Sequence, residues 1–328
     1  MNLAVIGTGK IVKDFFQFID EVENINLIAI CSTERSKEKM LSLAEQHNIP
    51  YRFTDYNQLM QCEEVDAVYV AVPNHLHFPV CLSALNAGKH VICEKPFTSN
   101  LKELQQLKTV AEENKLILME AITTQYIPNM KKIKELLESL GNVKVAVGNF
   151  SHYSSQYDNF KNGIIMNAFD CHKSGGALMD INVYNIHFFV GLFGKPEKVH
   201  YQANMKRNID VSGVLTMDYG DMQVVCIGAK DCKQTSDSFL QGEKGSIVIT
   251  TPVNFLGKFI YKKDGNEIVI DENDGKHRMY HEFVAFEKMV KEKDYHTANE
   301  MMNISMIVME IIEEAKKQCG LVFDADME

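Results

Sequence analysis

The amino-acid sequence predicts an α/β domain built on a parallel sheet, followed by an α+β domain with an open, mostly antiparallel sheet. Three observations carry that expectation. Short apolar runs alternate with amphipathic stretches from Asn2 to about Glu120, a glycine pair follows the first run, and longer strand-like segments punctuated by turn signals succeed one another from Lys198 onward. At 328 residues the chain is also long for a single core, so two domains are expected, residues 1–120 and 121–328.

The apolar runs of the first part are Leu3 to Ile6, Leu27 to Cys31, Ala67 to Val72, His90 to Cys93 and Leu116 to Met119. They are nearly all apolar, as expected of strands covered by helices on both faces. Between them, "SKEKMLSLAEQHN" and "LKELQQLKTVAEEN" have the spacing of surface helices. After Ala121 come a helix ("NMKKIKELLESLG"), a strand running into "VAVGNFSHYSS", a polar loop and a helix around Leu178 to Phe193. The strands "KVHYQANM", "SGVLTMDYG", "MQVVCIGAKD", "SIVITT" and "KFIYKKDG" then follow through turns such as Tyr219-Gly220-Asp221 and Asp264-Gly265-Asn266, the pattern of an antiparallel sheet. Two helices close the sequence, from about His281 and about Asn299.

"VIGTGKIV" ends the first strand and opens the first helix, the place where a dinucleotide's pyrophosphate rests on a Rossmann-type domain. Gly7 makes the tight turn and Gly9 admits the phosphates, with Thr8, Lys10 and Ile11 beside them; Val12 stands where a third glycine is usual. At the tip of the second strand, Ser32, Thr33 and Arg35 replace the acidic residue that holds the ribose of NAD, which favours NADP, while Glu34 keeps NAD open. "AVPNHLH" places Ala71, Pro73, Asn74 and His75 at the nicotinamide side; Asn74 is also a candidate helix cap. A metal pair of His75 and His77 lacks a third ligand at compatible spacing.

Composition excludes other classes. The formal charge of -10 opposes binding to nucleic acid, and no basic stripe interrupts it. No apolar run reaches the roughly 20 residues of a membrane helix. The N-terminus enters a strand without a signal pattern, and eight cysteines without a C-x-x-C pair suit a reducing compartment, so a soluble, cytoplasmic protein is expected.

"VICEKPFTSN" leaves two readings of Lys95, a cation that meets a substrate or a salt-bridged lysine at a strand's end. With the Gly7-x-Gly9 start, Glu94-Lys95-Pro96, and "GGALMDINVYNIHF" in the second domain, the chain resembles the Gfo/Idh/MocA family of oxidoreductases over nearly its whole length. The resemblance implies an NAD(P)-binding Rossmann domain and a C-terminal α+β domain whose open sheet joins homodimers or homotetramers. It also implies that Lys95 contacts the substrate oxygen beside the nicotinamide, with Glu94 and Lys95 both at the cofactor edge, and that Asp180 is the helix-motif aspartate. Tyr184 stands where many inositol and sugar dehydrogenases have a histidine acid/base, as in the glucose-fructose oxidoreductase and dihydrodiol dehydrogenase branch. Asn182 departs from a small residue, usually glycine.

Asp180, Tyr184 and His187 fall at i, i+4 and i+7 of the predicted helix and so share one face. Hydride chemistry at a carbonyl needs a group that gives or takes the hydroxyl proton, and an ammonium such as Lys95 favours the phenolate of a tyrosine. Lys95, Tyr184 and Asp180 are thus the catalytic candidates. His187 is a second candidate donor or a substrate ligand, Glu94 orients Lys95, and His152, with Phe150 and Tyr153, either frames the substrate or packs the sheet. The loop "DNFKNGIIMNAFDCHKSGG" offers Asn167, Asp170, His172 and Lys173 as substrate-shaping residues. The expected activity is NAD(P)-dependent oxidoreduction of a sugar, polyol or dihydrodiol-like compound. An NAD-dependent glycosidase of the same family is the alternative, and a non-catalytic NADP sensor is disfavoured because it needs no proton-transfer pair. Ser32→Asp is expected to shift the ratio of NADP to NAD dissociation constants toward NAD; an unchanged ratio overturns the assignment of Ser32 to the ribose end.

Overall fold

The apolar runs of the N-terminal third form strands too buried on both faces to face water, and their parallel pairing demands helical crossovers. A computed structural model describes residues 1–233 and 237–327. Among these residues, β1 (Asn2–Ile6), β2 (Asn26–Cys31), β3 (Tyr51–Phe53), β4 (Ala67–Val70), β5 (His90–Glu94) and β6 (Leu118–Ala121) make a six-stranded sheet in the order β3-β2-β1-β4-β5-β6, parallel throughout. The crossovers are α1 (Lys10–Phe15), α2 (Lys37–Gln46), α3 (Tyr56–Met60), α4 (His77–Asn86) and α5 (Leu101–Glu113). β3, absent from the apolar runs, is a short edge strand in which Tyr51 and Arg52 are exposed and Phe53 is half-buried. Strand order reverses at β1, which pairs with both β2 and β4, so a crevice opens at the carboxyl ends of β1 and β4.

The second sheet comprises β7 (Val143–Ser151), β8 (Lys198–Lys206), β9 (Ile209–Asp218), β10 (Gln223–Ala229), β11 (Ser238–Gly242), β12 (Gly245–Ile249), β13 (Phe259–Lys263) and β14 (Asn266–Ile270). Its order is β14-β13-β12-β11-β7-β10-β9-β8, antiparallel except for the parallel pair β7 and β10. At the β13–β14 turn Asp264 and Gly265 both have positive φ, as a two-residue hairpin of matching twist requires. α6 (Pro128–Leu136) and α7 (Tyr157–Lys161) flank β7, and α8 (Val183–Phe193) is preceded by a π-helical turn, Leu178–Asn182.

That π-turn and α8 lie on one face of the sheet. A side chain at Gly228 would meet the Cβ of Asn182 at 2.5 Å, so the strand and the helix touch only because that position is glycine. Asn182, the departure noted in the sequence, is fully buried there and donates to the carbonyl of Cys226 at 3.3 Å; Asn185 donates to that of Ile227 at 2.9 Å. The opposite face carries an apolar cross-strand row, Val225, Val147, Phe239, Val248, Ile260 and Val269, aligned by the register of β10, β7, β11, β12, β13 and β14. Each of these side chains is half-buried or exposed.

The chain divides into one unit of Met1–Ala121 with Met279–Asn303, and a second of Ile122–Arg278 with Ile304–Glu328. The segment that returns to the first unit includes α9 (Tyr280–Glu292) and the start of α10 (Tyr295–Cys319), which a simple cut at residue 120 assigns to the second domain. The reason is aromatic packing. Phe283 of α9 lies 5.2 Å from Phe15, 5.4 Å from Phe18 and 5.0 Å from Tyr69, ring centre to ring centre, closing a cluster that seals α1 onto the sheet. Among the described residues no helix is long and apolar enough to cross a membrane.

Candidate functional site

The carboxyl ends of β1, β2 and β4 gather the residues expected at a cofactor. Gly7 adopts φ +129°, and a Cβ there would lie 2.2 Å from the carbonyl oxygen of Ala71. Only glycine serves, and its absence of a side chain lets the loop after β1 lie against the end of β4. At Gly9 a Cβ would meet nothing within 4 Å, which leaves open space at the start of α1 where a pyrophosphate can approach the backbone. Val12, in place of the third glycine, is wholly buried under this loop. Ser32 is buried at the end of β2, where its backbone N–H donates to Phe53 at 3.1 Å, while Thr33 and Arg35 are exposed. The exposed Glu34 carboxylate is held below its usual range by a hydrogen bond from Thr54 and by Lys37, 3.3 Å away. Lys39, which reads in the sequence as one more solvated helix charge, donates from α2 to the carbonyl of Thr8 and brings a cation to the glycine loop. A glycine cradle with open space, a small polar tip residue and nearby cations fit a dinucleotide.

The loops after β4 and β5 form the neighbouring part of that edge. Asn74 begins a short 3-10 turn, Asn74–Leu76, and α4 starts at His77. The residues just before these starts, Pro73 and Leu76, give no side-chain cap. Glu94 is buried and accepts from the hydroxyl of Tyr69 at 2.6 Å, while the peptide bond from Lys95 to Pro96 is cis. The buried carboxylate of Glu120 on β6 accepts from the N–H of Phe97 at 3.1 Å.

In the second unit, the glycine pair before the π-turn has a specific cause. Gly176 adopts φ +106°, and a Cβ there would fall 2.0 Å from Oδ1 of Asp210. Asp210 is fully buried; its Oδ2 accepts from the N–H of Leu178 at 2.6 Å and from the hydroxyl of Tyr201 at 2.8 Å. Burial pushes its carboxyl pKa up and those two donors oppose the rise. The helix thus begins on a buried acid that the sequence does not flag.

The π-turn changes the expected stripe. Bonds closing from i to i+5 add a residue to the turn that holds Asp180, so the even i, i+4, i+7 spacing of an α-helix does not run through it. Asp180 is half-buried, Tyr184 is buried and His187 wholly so. Phe150 lies beside Tyr184, with ring centres 6.0 Å apart, whereas His152 is exposed and the hydroxyl of Tyr153 donates to Asp158 at 2.7 Å. Asp180 meets an unforeseen partner: Nζ of Lys230 lies 2.6 Å from its Oδ2, although the Lys230 side chain is only 3% exposed. The same ammonium donates to the carbonyl of Ala168 at 2.7 Å and stands 4.4 Å from the ring centre of Phe169. It therefore pins the polar loop to the helix motif. In the strand segment "MQVVCIGAKD" nothing marks that lysine out.

Within the loop, Asn167 accepts from Lys173 at 3.0 Å and Asp170 lies 3.3 Å from the same ammonium. His172 pairs with Asp324 at 2.8 Å, which raises its pKa. The loop residues named from the sequence are thus engaged with one another and with the C-terminal segment.

Two family models match the chain: "Oxidoreductase family, NAD-binding Rossmann fold" (GFO_IDH_MocA) over residues 1–122 and "GFO/IDH/MocA C-terminal domain" over residues 130–248. The chain is 36% identical to the scyllo-inositol 2-dehydrogenase (NADP(+)) IolU of Bacillus subtilis, over 99% of each chain. It is 26% identical to the trans-1,2-dihydrobenzene-1,2-diol dehydrogenase of Mus musculus, again over 99% of each. Among solved structures it resembles the 3-ketoreductase KijD10 of Actinomadura kijaniata, with TM-score 0.79, 20% identity and 97% of each chain covered. The aldose-aldose oxidoreductase of Caulobacter crescentus matches with TM-score 0.80 and 19% identity, over 98% of this chain and 97% of that one.

The Lys230 and Asp180 pair is expected to respond asymmetrically to its removal. Asp180→Asn leaves an ammonium in a 3% exposed position without its carboxylate and is expected to cost about 3 kcal/mol. Lys230→Met leaves a carboxylate that is 37% exposed and is expected to cost roughly 1 kcal/mol. Urea unfolding of both variants checks this, and the reverse order overturns it.

Proposed function

The chain belongs to the Gfo/Idh/MocA family of oxidoreductases, and on that premise we propose an NADP-dependent enzyme acting on a CH–OH group or its carbonyl. Its substrate in this reading is a sugar, polyol or dihydrodiol-like compound. The observation that carries the substrate class is the full-length likeness to an inositol dehydrogenase, with the dihydrodiol dehydrogenases beside it. NADP is supported by the absence of an acid at the tip of β2, where Ser32 stands, with the exposed Arg35 close by in sequence and Lys39 reaching the glycine loop.

When bound, the nicotinamide supplies or accepts the hydride. The chain's own residues then have three tasks. Lys95 holds and polarises the substrate oxygen, with Glu94 fixed behind it by the Tyr69 hydroxyl. Tyr184 moves the oxygen's proton. Asp180, with its charge balanced by Lys230, orients a substrate hydroxyl. Tyr184 is preferred to His187 as donor because His187 is wholly buried, whereas Tyr184 keeps some exposure beside Phe150. His152, exposed at the end of β7, is assigned to the substrate's rim.

The protein works in this reading as a homodimer or homotetramer in the cytoplasm. Support for association is the half-buried to exposed apolar row across the second sheet, which a second copy would cover. Support for a reducing compartment is the free state of all eight cysteines.

Sugars, inositols and dihydrodiols tested with NADP and NAD, read by absorbance of the reduced cofactor, identify the substrate. Lys95→Met and Tyr184→Phe are each expected to lower kcat at least about a hundredfold while NADPH binding persists. Wild-type turnover in either one rules out its assigned role. Val147→Lys is expected to shift the mass in light scattering from dimer or tetramer to monomer, and a wild-type chain that is monomeric at micromolar concentration overturns the association.

A further inference from the structure

We infer that His77 is a positioning residue, a latch that ties the loop leaving β4 to the loop that carries Lys95. The inference rests on the roles proposed above for those two loops. His77 is the first residue of α4 and only 1% exposed. Its Nδ1 lies 2.8 Å from the carbonyl oxygen of Pro96 and its Nε2 lies 2.9 Å from that of Val72. Val72 sits between Ala71 and Pro73 on the cofactor edge, and Pro96 directly follows Lys95.

The place of this contact gives it meaning. β4 and β5 pair side by side up to Val70 and Cys93, and there their ladder stops. Beyond that point the two chains diverge into the loops that hold the nicotinamide side and the lysine, so a side chain must do what backbone bonds no longer do. The imidazole spans that gap. On the far side of the lysine loop the carboxylate of Glu120 accepts from the N–H of Phe97, so the segment from Lys95 to Phe97 is held from two directions. A buried apolar residue would fill the same space without desolvating a ring, which makes the paired carbonyl contacts the feature to explain.

Both partners of the ring are acceptors. A neutral imidazole has a single N–H, so both contacts are hydrogen bonds only when the ring carries two protons. Burial disfavours that charge and holds the pKa of His77 below its ordinary value; the Pro96 and Val72 carbonyls oppose this, the ammonium of Lys95 adds to it, and the carboxylate of Glu120 opposes it. The sign follows. The doubly tied form belongs to acidic solution and gives way, as pH rises through that lowered pKa, to a ring that donates to one carbonyl at a time.

The latch predicts that the two loops loosen together. Amide hydrogen exchange of the cofactor-free chain, corrected for intrinsic rates, reads this directly over the loops 71–76 and 95–100. His77→Leu removes both ties, His77→Asn keeps an amide N–H near the place of Nδ1, and His77→Gln keeps one near that of Nε2. Protection of both loops is expected to fall about tenfold in the leucine variant. The wild type is expected to lose protection as pH rises, and the two amide variants, which do not titrate, are expected to lack that dependence. The amide variants carry the test if the leucine chain does not fold.

Turnover per bound NADPH is expected to fall about tenfold in the amide variants, with the NADPH dissociation constant within twofold. Exchange that changes in one loop alone, a pH dependence that survives in the amide variants, or unchanged turnover per bound NADPH overturns the latch. Lys95→Met, run in parallel, separates the two ideas. Full turnover there sinks the role of Lys95, whereas its loss beside unchanged His77 variants sinks the latch alone.

Discussion

A single backbone carbonyl sets the shape of the first unit's working edge. The oxygen of Ala71 occupies the place where a side chain at residue 7 would begin, so the loop after β1 closes onto the end of β4 only through Gly7 at φ +129°. From that approach follow the open space at Gly9, the burial of Val12 beneath the loop and the reach of Lys39 to Thr8. Strand order reverses at the same β1, which is why the crevice opens there and not elsewhere along the sheet. The third glycine of the usual fingerprint is dispensable because a buried valine fills its place.

The second unit depends on two buried charged side chains instead. Asp210 receives the first N–H of the π-turn and forces glycine at residue 176; Lys230 joins Asp180 to the polar loop through the carbonyl of Ala168. Each holds several elements at once: Asp210 accepts from Leu178 and Tyr201 through Oδ2 while its buried Oδ1 has no hydrogen-bond partner, and Lys230 meets both Asp180 and the carbonyl of Ala168. These contacts explain why glycine, aspartate and asparagine cluster around one helix start: each removes a steric obstacle or satisfies a buried backbone group.

Legibility followed interaction range. The β1–α1 loop, the tip of β2 and the alternation of strands with helices were readable because each is set by neighbours within a few residues, through periodicity and turn chemistry. β3, β11 and β14 were missed because they are short, three to five residues, and carry too few apolar residues to set a period. Lys39, Lys230 and Asp210 gave no signal, since a charge that folds inward has the same letters around it as one that stays in water. The stripe of Asp180, Tyr184 and His187 was expected from α-helical spacing, and a π-turn over Leu178–Asn182 interrupts that spacing.

The sequence by itself determined the two-sheet architecture and the glycine cradle, because local pattern and turn chemistry are enough for those; the lysine and tyrosine are candidates through the family resemblance. The tertiary structure alone decided that α9 returns to the first unit, that Lys230 is the partner of Asp180, and that His77 faces two carbonyls where the β4 and β5 ladder ends. Such contacts join residues far apart along the chain. Their energy comes from desolvation and from the geometry of the fold, and neither is written in the spacing of neighbouring residues.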